Sequence, residues 1–343
     1  MEILSPSSEK LKVFVPKGSI ENKSSRNPLL DLLVSAGYSK IAGGLDRTDK
    51  IVQGDVEFMG LKGANAFSSA IDLYAGNTAL FIAGTDVLAE ASLTSMQRGV
   101  HVLVEELLSL GIGKCTLEVI SPQENPVQNP HDLAGRTLFS KYPQIFRDLL
   151  RQWGVGAQVI EMDGADNRLN DYRAATTATA ALEIVGSGST TTALRLSRLQ
   201  NMQYPKVGVA DLHSVTTDLF ITNKNSASSW QRAAIRQFGV DVEVAREKNQ
   251  CVQFVFQVPL EQVEKFRALG MKGPSVKEVL SRDGKQWKAL EILVPLADVG
   301  KTRMKLLQMG ATDIASSESH YHAEPDASSS QVIKMLPFEE DNQ

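Results

Sequence analysis

The segment best suited to chemistry is Glu183-Ile184-Val185-Gly186-Ser187-Gly188-Ser189-Thr190-Thr191-Thr192. An apolar run, 180–185, predicts a strand that delivers the chain into a loop of small residues, and 193–199 reads as the start of a helix. Backbone N–H groups and hydroxyls that meet at a helix N-terminus make an anion site. Glycines let the backbone approach a phosphate closely, and Ser187, Ser189, Thr190 and Thr191 add neutral donors. The same residues also fit a Gly/Ser turn with an N-cap. Glu183, just before the loop, is placed either to accept hydrogen bonds from sugar hydroxyls beside such a phosphate or to face solvent at a strand end.

Three further groups are weaker. In Val15-Pro16-Lys17-Gly18-Ser19 a lysine follows a buried strand, as a second anion ligand or as a solvated charge. Gly84-Thr85-Asp86-Val87-Leu88-Ala89-Glu90 reads first as a helix start with Thr85 or Asp86 as N-cap. His320-Tyr321-His322 would put two imidazoles on one face of a strand, but no Cys, Asp or Glu constellation supports a metal there. The chain has no G-x-S-x-G, no G-x-x-x-x-G-K-[ST] and no H-E-x-x-H, which removes the simplest support for hydrolase, P-loop and zincin chemistry.

The elements that must position these residues alternate. Leu11 to Val15 predicts a buried strand, and Asn27-Pro28 followed by Leu29, Leu30, Leu32, Leu33 and Ala36 predicts a helix with Gly37 past its end. The rhythm recurs at 78–83 before Gly84, and at 136–139 before a helix from Pro143 to Trp153. That helix stripes Ile145, Leu149, Leu150 and Trp153 along one side and ends at Gly154, ahead of a strand over 157–162. Strand, loop and helix in alternation predict α/β architecture with parallel sheets flanked by helices. From Cys251 the texture becomes strand, helix, strand, helix in about 70 residues, the ferredoxin-like pattern often used for regulation. The polar end, 324–343, predicts fraying, although its VIKMLPF run has the composition of a strand.

Length and composition bound the rest. At 343 residues the chain has room for two or three domains, and 42% hydrophobic, 22% charged and a net charge of −4 describe a globular protein. A pI near 5.8 argues against a nucleic-acid partner. Two distant cysteines, Cys115 and Cys251, predict no disulfide framework and fit a reducing cytoplasm. No apolar run reaches the length of a membrane span, so an unexported, soluble chain is expected.

Taken in order, these segments resemble the long-form ATP phosphoribosyltransferase family, which joins ATP to phosphoribosyl pyrophosphate. Leu11 to Ser19 (LKVFVPKGS) is similar to L-x-I-A-x-P-K-G-R-L, and Leu80 to Glu90 (LFIAGTDVLAE) to D-L-G-I-x-G-x-D-V-L-x-E. Arg136 to Pro143 (RTLFSKYP) resembles R-I-A-T-x-Y-P, and Glu183 to Leu194 resembles the D-L-V-S-T-G-x-T-L loop that holds the donor's 5-phosphate. Gly273 to Val276 and Leu306 to Ile314 resemble the family's C-terminal domain.

The resemblance implies an α/β fold of two periplasmic-binding-protein-like lobes with an active-site cleft between them, plus a C-terminal ferredoxin-like (ACT-like) α+β domain. Lobe I would be 1–113 with 207–246, lobe II 114–206 with the phosphate loop, and the third domain 247–343. It implies that Gly186, Ser187, Gly188, Ser189, Thr190 and Thr191 cradle the phosphate, that Glu183 with Thr179 holds the ribose, and that Lys17 neutralises pyrophosphate charge. Thr85, Asp86, Glu90, Tyr142 and Asp166 would line the acceptor cleft. Mg²⁺ would be the cofactor, without a metal site built by the protein, and the chain would form a homo-oligomer, dimer or hexamer.

Several charged residues of the family are absent. Ala178-Thr179-Ala180-Ala181-Leu182-Glu183 stands where A-D-x-I-x-D is usual, so Thr179 replaces the first acid and Glu183 the second. G-S-V-E becomes Gly164-Ala165-Asp166-Asn167, R-x-R-x-x-D-I-P becomes a run over 59–67, and the arginine of P-K-G-R-L is Ser19. Losing a charged partner in a desolvated site changes which ligand is accepted. The expectation is therefore a phosphoribosyltransferase acting on another nitrogen or carbon nucleophile, with ATP as acceptor, or a silent regulatory homologue, as the alternatives.

Overall fold

The computed structural model describes residues 10–17, 27–43, 50–162, 179–185, 195–199, 204–249, 251–267, 275–282, 285–295, 298–318 and 330–336. They fall into two compact units, one of 1–34, 38–239 and 331–343, the other of 35–37 and 240–330.

In the first unit, β1 (Leu11–Pro16), β2 (Lys50–Gln53), β3 (Val56–Leu61) and β4 (Ala79–Gly84) precede β5 (Val104–Pro122), β6 (Thr137–Ser140), β7 (Gln158–Glu161), β8 (Thr179–Val185), β9 (Leu196–Arg198) and β10 (Val215–Thr222). They form one mixed sheet in the order β2-β3-β1-β4-β10-β5-β8-β6-β7, with β9 beside β5. The pairs β1 with β3 and β4, and β6 with β7 and β8, are parallel as alternation predicts. Strands β10 and β5 run antiparallel to their neighbours and join the two parallel sets.

The 19-residue β5 is shared between those sets. Its stretch from Val104 to Cys115 pairs with β10, and Thr116 to Ile120 pairs with β8. Register shifts interrupt the β5–β10 ladder. Gly111 sits there at φ +65°, a left-handed conformation that glycine takes without a Cβ penalty. The buried Asp218 of β10 fixes this irregularity: its Oδ1 accepts from Leu110 N at 2.7 Å, Gly111 N at 3.2 Å and Ser109 Oγ at 3.0 Å, and its Oδ2 from Thr216 Oγ1 at 2.5 Å.

The helices follow the sequence signals closely where caps are local. Helix α1 (Pro28–Ser35) is capped by Asn27, whose Oδ1 accepts from Leu29 N and Leu30 N. Then come α2 (Gly63–Leu73), α3 (Thr85–Gln97), α4 (Pro143–Trp153) and α5 (Ser229–Asn249). Gly154 takes φ +68° at the end of α4 and stops it. The buried stripe of α4, Ile145, Phe146, Leu149 and Leu150, packs in one cluster with Leu117, Val119, Leu138, Ala180 and Leu182 of the sheet.

Two expectations are corrected. The helix expected over 193–199 is, from Leu196 to Arg198, the strand β9. Leu196 joins the cluster of Ile120, Phe139, Ala181 and Val185, whereas Leu199 joins the α4 cluster. Residues three apart on a helix would share a face; extended backbone lets one leucine serve each core. The VIKMLPF run is neither frayed nor a strand over 331–335, but helix α8 (Gln331–Met335) with Val332 and Leu336 buried. It fits a slot on α5 where Gly239 leaves room, since a Cβ there would meet Val332 Cγ1 at 2.8 Å. Arg236 Nε donates to Leu336 O at 2.9 Å.

The second unit contains β11 (Cys251–Pro259), α6 (Val263–Arg267), β12 (Ser275–Arg282), β13 (Lys285–Pro295), α7 (Val299–Gln308) and β14 (Thr312–Glu318). Its sheet is antiparallel throughout in the order β12-β13-β11-β14. Alternate residues Phe254, Phe256 and Val258 of β11 face Leu290, Ile292 and Val294 of β13 in one core with Leu306 of α7. Two strands, β12 and β14, are additional to the expected pattern.

Candidate active site

The parallel register pairs Ser140 of β6 with Leu182 of β8, so Lys141 and Glu183 stand level at the carboxyl ends of the two strands. Carboxyl ends of parallel strands are where open α/β sheets place ligands. Lys141 Nζ lies 3.6 Å from Glu183 Oε1, and Glu183 Oε1 also accepts from Ile184 N at 3.0 Å. The buried Ser140 hydroxyl donates to Leu182 O and accepts from Tyr142 N, both at 2.9 Å, and this turns the chain from β6 into α4.

Tyr142 then lies beneath the Lys141 ammonium, 4.9 Å from Nζ to the ring centroid, and donates its hydroxyl to Asp86 in a short hydrogen bond. Burial, with the negative charges of Asp86 and Glu183 around it, holds the Tyr142 hydroxyl far above the usual phenol range, so it is a fixed donor. The half-buried Cys115 thiol is pushed up by burial and by Asp86, with Lys141 acting in the opposite sense. Asp86, Cys115, Lys141, Tyr142 and Glu183 therefore form one electrostatic cluster.

Helix α3 supplies two carboxylates, one turn apart, that reach the start of α4. Asp86 takes the Tyr142 hydroxyl. The buried Glu90 accepts from Gln144 N at 2.9 Å and Ile145 N at 2.9 Å. Those N–H groups belong to the first turn of α4, where an N-cap side chain normally serves them. Tyr142 occupies the cap position and makes no such bond, so Glu90 caps α4 from 54 residues away. Burial pushes its carboxyl up to about 7, against the two N–H bonds that favour the charge; Glu161 adds to the rise and Arg147 opposes it.

Neither Thr85 nor Asp86 caps α3. Gly84 holds the cap position without a side-chain bond, and both residues lie buried in the first turn. Thr85 Oγ1 accepts from Thr216 N at 3.4 Å. Lys17 is half-buried just past β1, and the β1–β4 register, Phe14 opposite Phe81, carries it to the level of Gly84. Thr179 shares a face of β8 with Glu183 but stands at the other end of the strand, about 13 Å away at roughly 3.3 Å per residue. Its buried Oγ1 finds no hydrogen-bond partner among the described residues.

Gly186, Ser187, Gly188, Ser189, Thr190, Thr191 and Asp166 lie outside the described residues, as do His320 and His322. Among the described residues no group of three or more His, Cys, Asp or Glu is arranged to hold a metal ion, and no helix is long and apolar enough to cross a membrane. Lys141 and Cys115 are the members of the cluster that sequence reasoning passed over, and only the lysine carried a signal. The Lys141 signal was the one applied to Lys17, a lysine directly after a buried strand.

Residues 70–237 match a protein family described as ATP phosphoribosyltransferase. An ATP phosphoribosyltransferase of Mycobacterium sp. (strain KMS) is 27% identical over 314 residues, 91% of this chain and 99% of that protein. One from Methanopyrus kandleri is 27% identical over 242 residues, 70% of this chain and 75% of that protein. A solved ATP phosphoribosyl transferase complex from Thermotoga maritima superposes on 69% of this chain and 98% of its own with 13% identity and a TM-score of 0.48.

Proposed function

We propose that this chain, which resembles the ATP phosphoribosyltransferases over most of its length, is a pentosyltransferase of that type and transfers the 5-phosphoribosyl group of phosphoribosyl pyrophosphate to a nitrogen or carbon nucleophile other than ATP. The observation that carries the donor half is Glu183 at the carboxyl end of β8, with the run from Gly186 to Thr191 beginning directly after the strand. The strand β9 withdraws the helix dipole from the argument for that loop, which leaves its N–H groups and hydroxyls as the phosphate cradle.

Transfer of this kind develops positive charge on the ribose as pyrophosphate departs, so the protein's work is positioning and electrostatic. Glu183 accepts from the ribose hydroxyls, and Lys17 balances charge on the leaving group. Mg²⁺ keeps most of its waters and binds largely through substrate phosphates, and the described residues offer no closed cage for it. The ion would neutralise the leaving pyrophosphate.

The altered acceptor rests on the acids missing from this sequence, with Thr179 and Asp166 where the resemblance expects other acids. ATP itself is the second reading, favoured by relatives of that name aligning along nine-tenths of the chain. The unit of 240–330 has the β-α-β-β-α-β order and sheet order of a ferredoxin-like module, which supports an ACT-like regulatory role in a homo-oligomer. The test is pyrophosphate release from phosphoribosyl pyrophosphate and Mg²⁺, with ATP and then a panel of nucleobases and heteroaromatic acids. Release with a non-ATP acceptor, lost in Glu183→Ala, is expected. Release with ATP alone establishes the second reading, and donor binding without release makes the chain a regulatory homologue.

A further inference from the structure

Lys141 is fixed by its neighbours rather than left as a solvated surface charge. Its backbone is fixed on both sides, by Ser140 bonded to Leu182 O and by Tyr142 N bonded back to Ser140 Oγ. Its ammonium rests over the Tyr142 ring, and that ring is locked in turn by the hydroxyl bond to Asp86. The 3.6 Å separation from Glu183 Oε1 is an ion pair beyond good hydrogen-bond length, and 33% of the lysine side chain is exposed. An ammonium has three donors, so this one retains capacity for an incoming anion.

Charge balance gives that capacity a purpose. The cluster holds two carboxylates, Asp86 and Glu183, which would repel a polyanionic donor. A cation that neutralises Glu183 in the ligand-free protein and transfers to the donor on binding serves both states, because it frees the carboxylate for the sugar when it leaves.

We infer that Lys141 is an anion-binding residue of this site, which exchanges its ion pair with Glu183 for the pyrophosphate oxygens of the donor; this rests on the phosphoribosyltransferase reading. Asp86 and Tyr142 are positioning residues for it.

The experiment is calorimetric titration of the full chain with inorganic pyrophosphate and Mg²⁺, and separately with phosphoribosyl pyrophosphate, on wild type, Lys141→Met, Lys141→Arg and the double variant Lys141→Met/Glu183→Gln. Thermal melts confirm that each variant is folded. Loss of one charge-assisted contact should weaken pyrophosphate binding about tenfold to a hundredfold in Lys141→Met, with Lys141→Arg close to wild type. If the lysine served only to neutralise Glu183, the double variant would regain affinity for pyrophosphate; direct contact predicts that it does not. Wild type and Lys141→Met binding equally well, or recovery in the double variant, overturns this inference alone. A wild type that binds neither ligand overturns it together with the phosphoribosyltransferase reading.

Discussion

Glu90 offers a test of the structure that needs no substrate. Its carboxyl, buried at 3% exposure against the first turn of α4, is pushed from the usual 4.5 to about 7. A folded acid with a raised pKa keeps its proton where the unfolded chain has lost it. Between pH 4.5 and about 7 the native state therefore binds more protons, and stability falls as pH rises. The full interval, at about 1.4 kcal/mol per pH unit, amounts to a cost of about 3 kcal/mol at about pH 8 and under about 1 kcal/mol at about pH 5. Glu90→Gln keeps an oxygen for Gln144 N and Ile145 N but cannot ionise. Relative to wild type it should gain about 2–3 kcal/mol between about pH 5 and about pH 8, or roughly 3–4 °C in Tm at this size. Thermal melts of both proteins at several pH values measure this. A wild-type-to-Gln difference that stays flat with pH would refute the reasoning, because the two N–H bonds and the helix N-terminus would then outweigh burial. Glu90→Ala is the control: it removes the same titration but strands both N–H groups, so it should lie about 2–6 kcal/mol below Glu90→Gln at every pH.

Tyr142→Phe removes the donor from the buried Asp86 carboxylate and should cost about 1–3 kcal/mol, with Asp86→Asn less damaging when combined with Tyr142→Phe than alone; a double-mutant cycle of melting temperatures measures the coupling. Asp218→Leu leaves Ser109, Leu110, Gly111 and Thr216 without their acceptor and should lose more than about 3 kcal/mol, whereas Asp218→Asn, which retains one oxygen, should lose less than half of that by the same melts.

What the sequence disclosed depended on how far apart the cooperating residues lie. Helix α4 was legible to the residue because Pro143, the apolar stripe and Gly154 are all local signals. Its real N-cap was not, since Glu90 is an interior residue of another helix and only the fold brings it to Gln144. Strand β9 was misread as helical because three residues carry no periodicity of their own, and the two cores that Leu196 and Leu199 serve exist only after β5 has paired on both edges. Asp218 was invisible for the same reason: in VTTDLFIT an aspartate between apolar residues announces burial, but not the bulge it holds. The small-residue run from Gly186 to Thr191 was the clearest chemical signal in the sequence, and of it the structure describes the strand that leads in, β8.

Asp86 and Glu90 gain a different meaning from this geometry. From the sequence they are cleft acids beside a helix start. In the fold both carboxylates are turned into the start of α4, so that α3 sets the position of Tyr142 and, through its ring, of Lys141. Gly84 belongs to the same arrangement. Its φ of −60° is open to any residue, yet a Cβ there would collide with the Asp86 carboxylate. A side chain at this position would have to displace that carboxylate against its bond to Tyr142, so the glycine serves space rather than backbone freedom. A chain of contacts thus runs from the end of β4 through Asp86, Tyr142 and Lys141 to Glu183, with each link set by packing rather than by exposed loops. A cluster built this way keeps its charges in place before any ligand arrives, which is the condition under which electrostatic stabilisation of a developing charge is most effective.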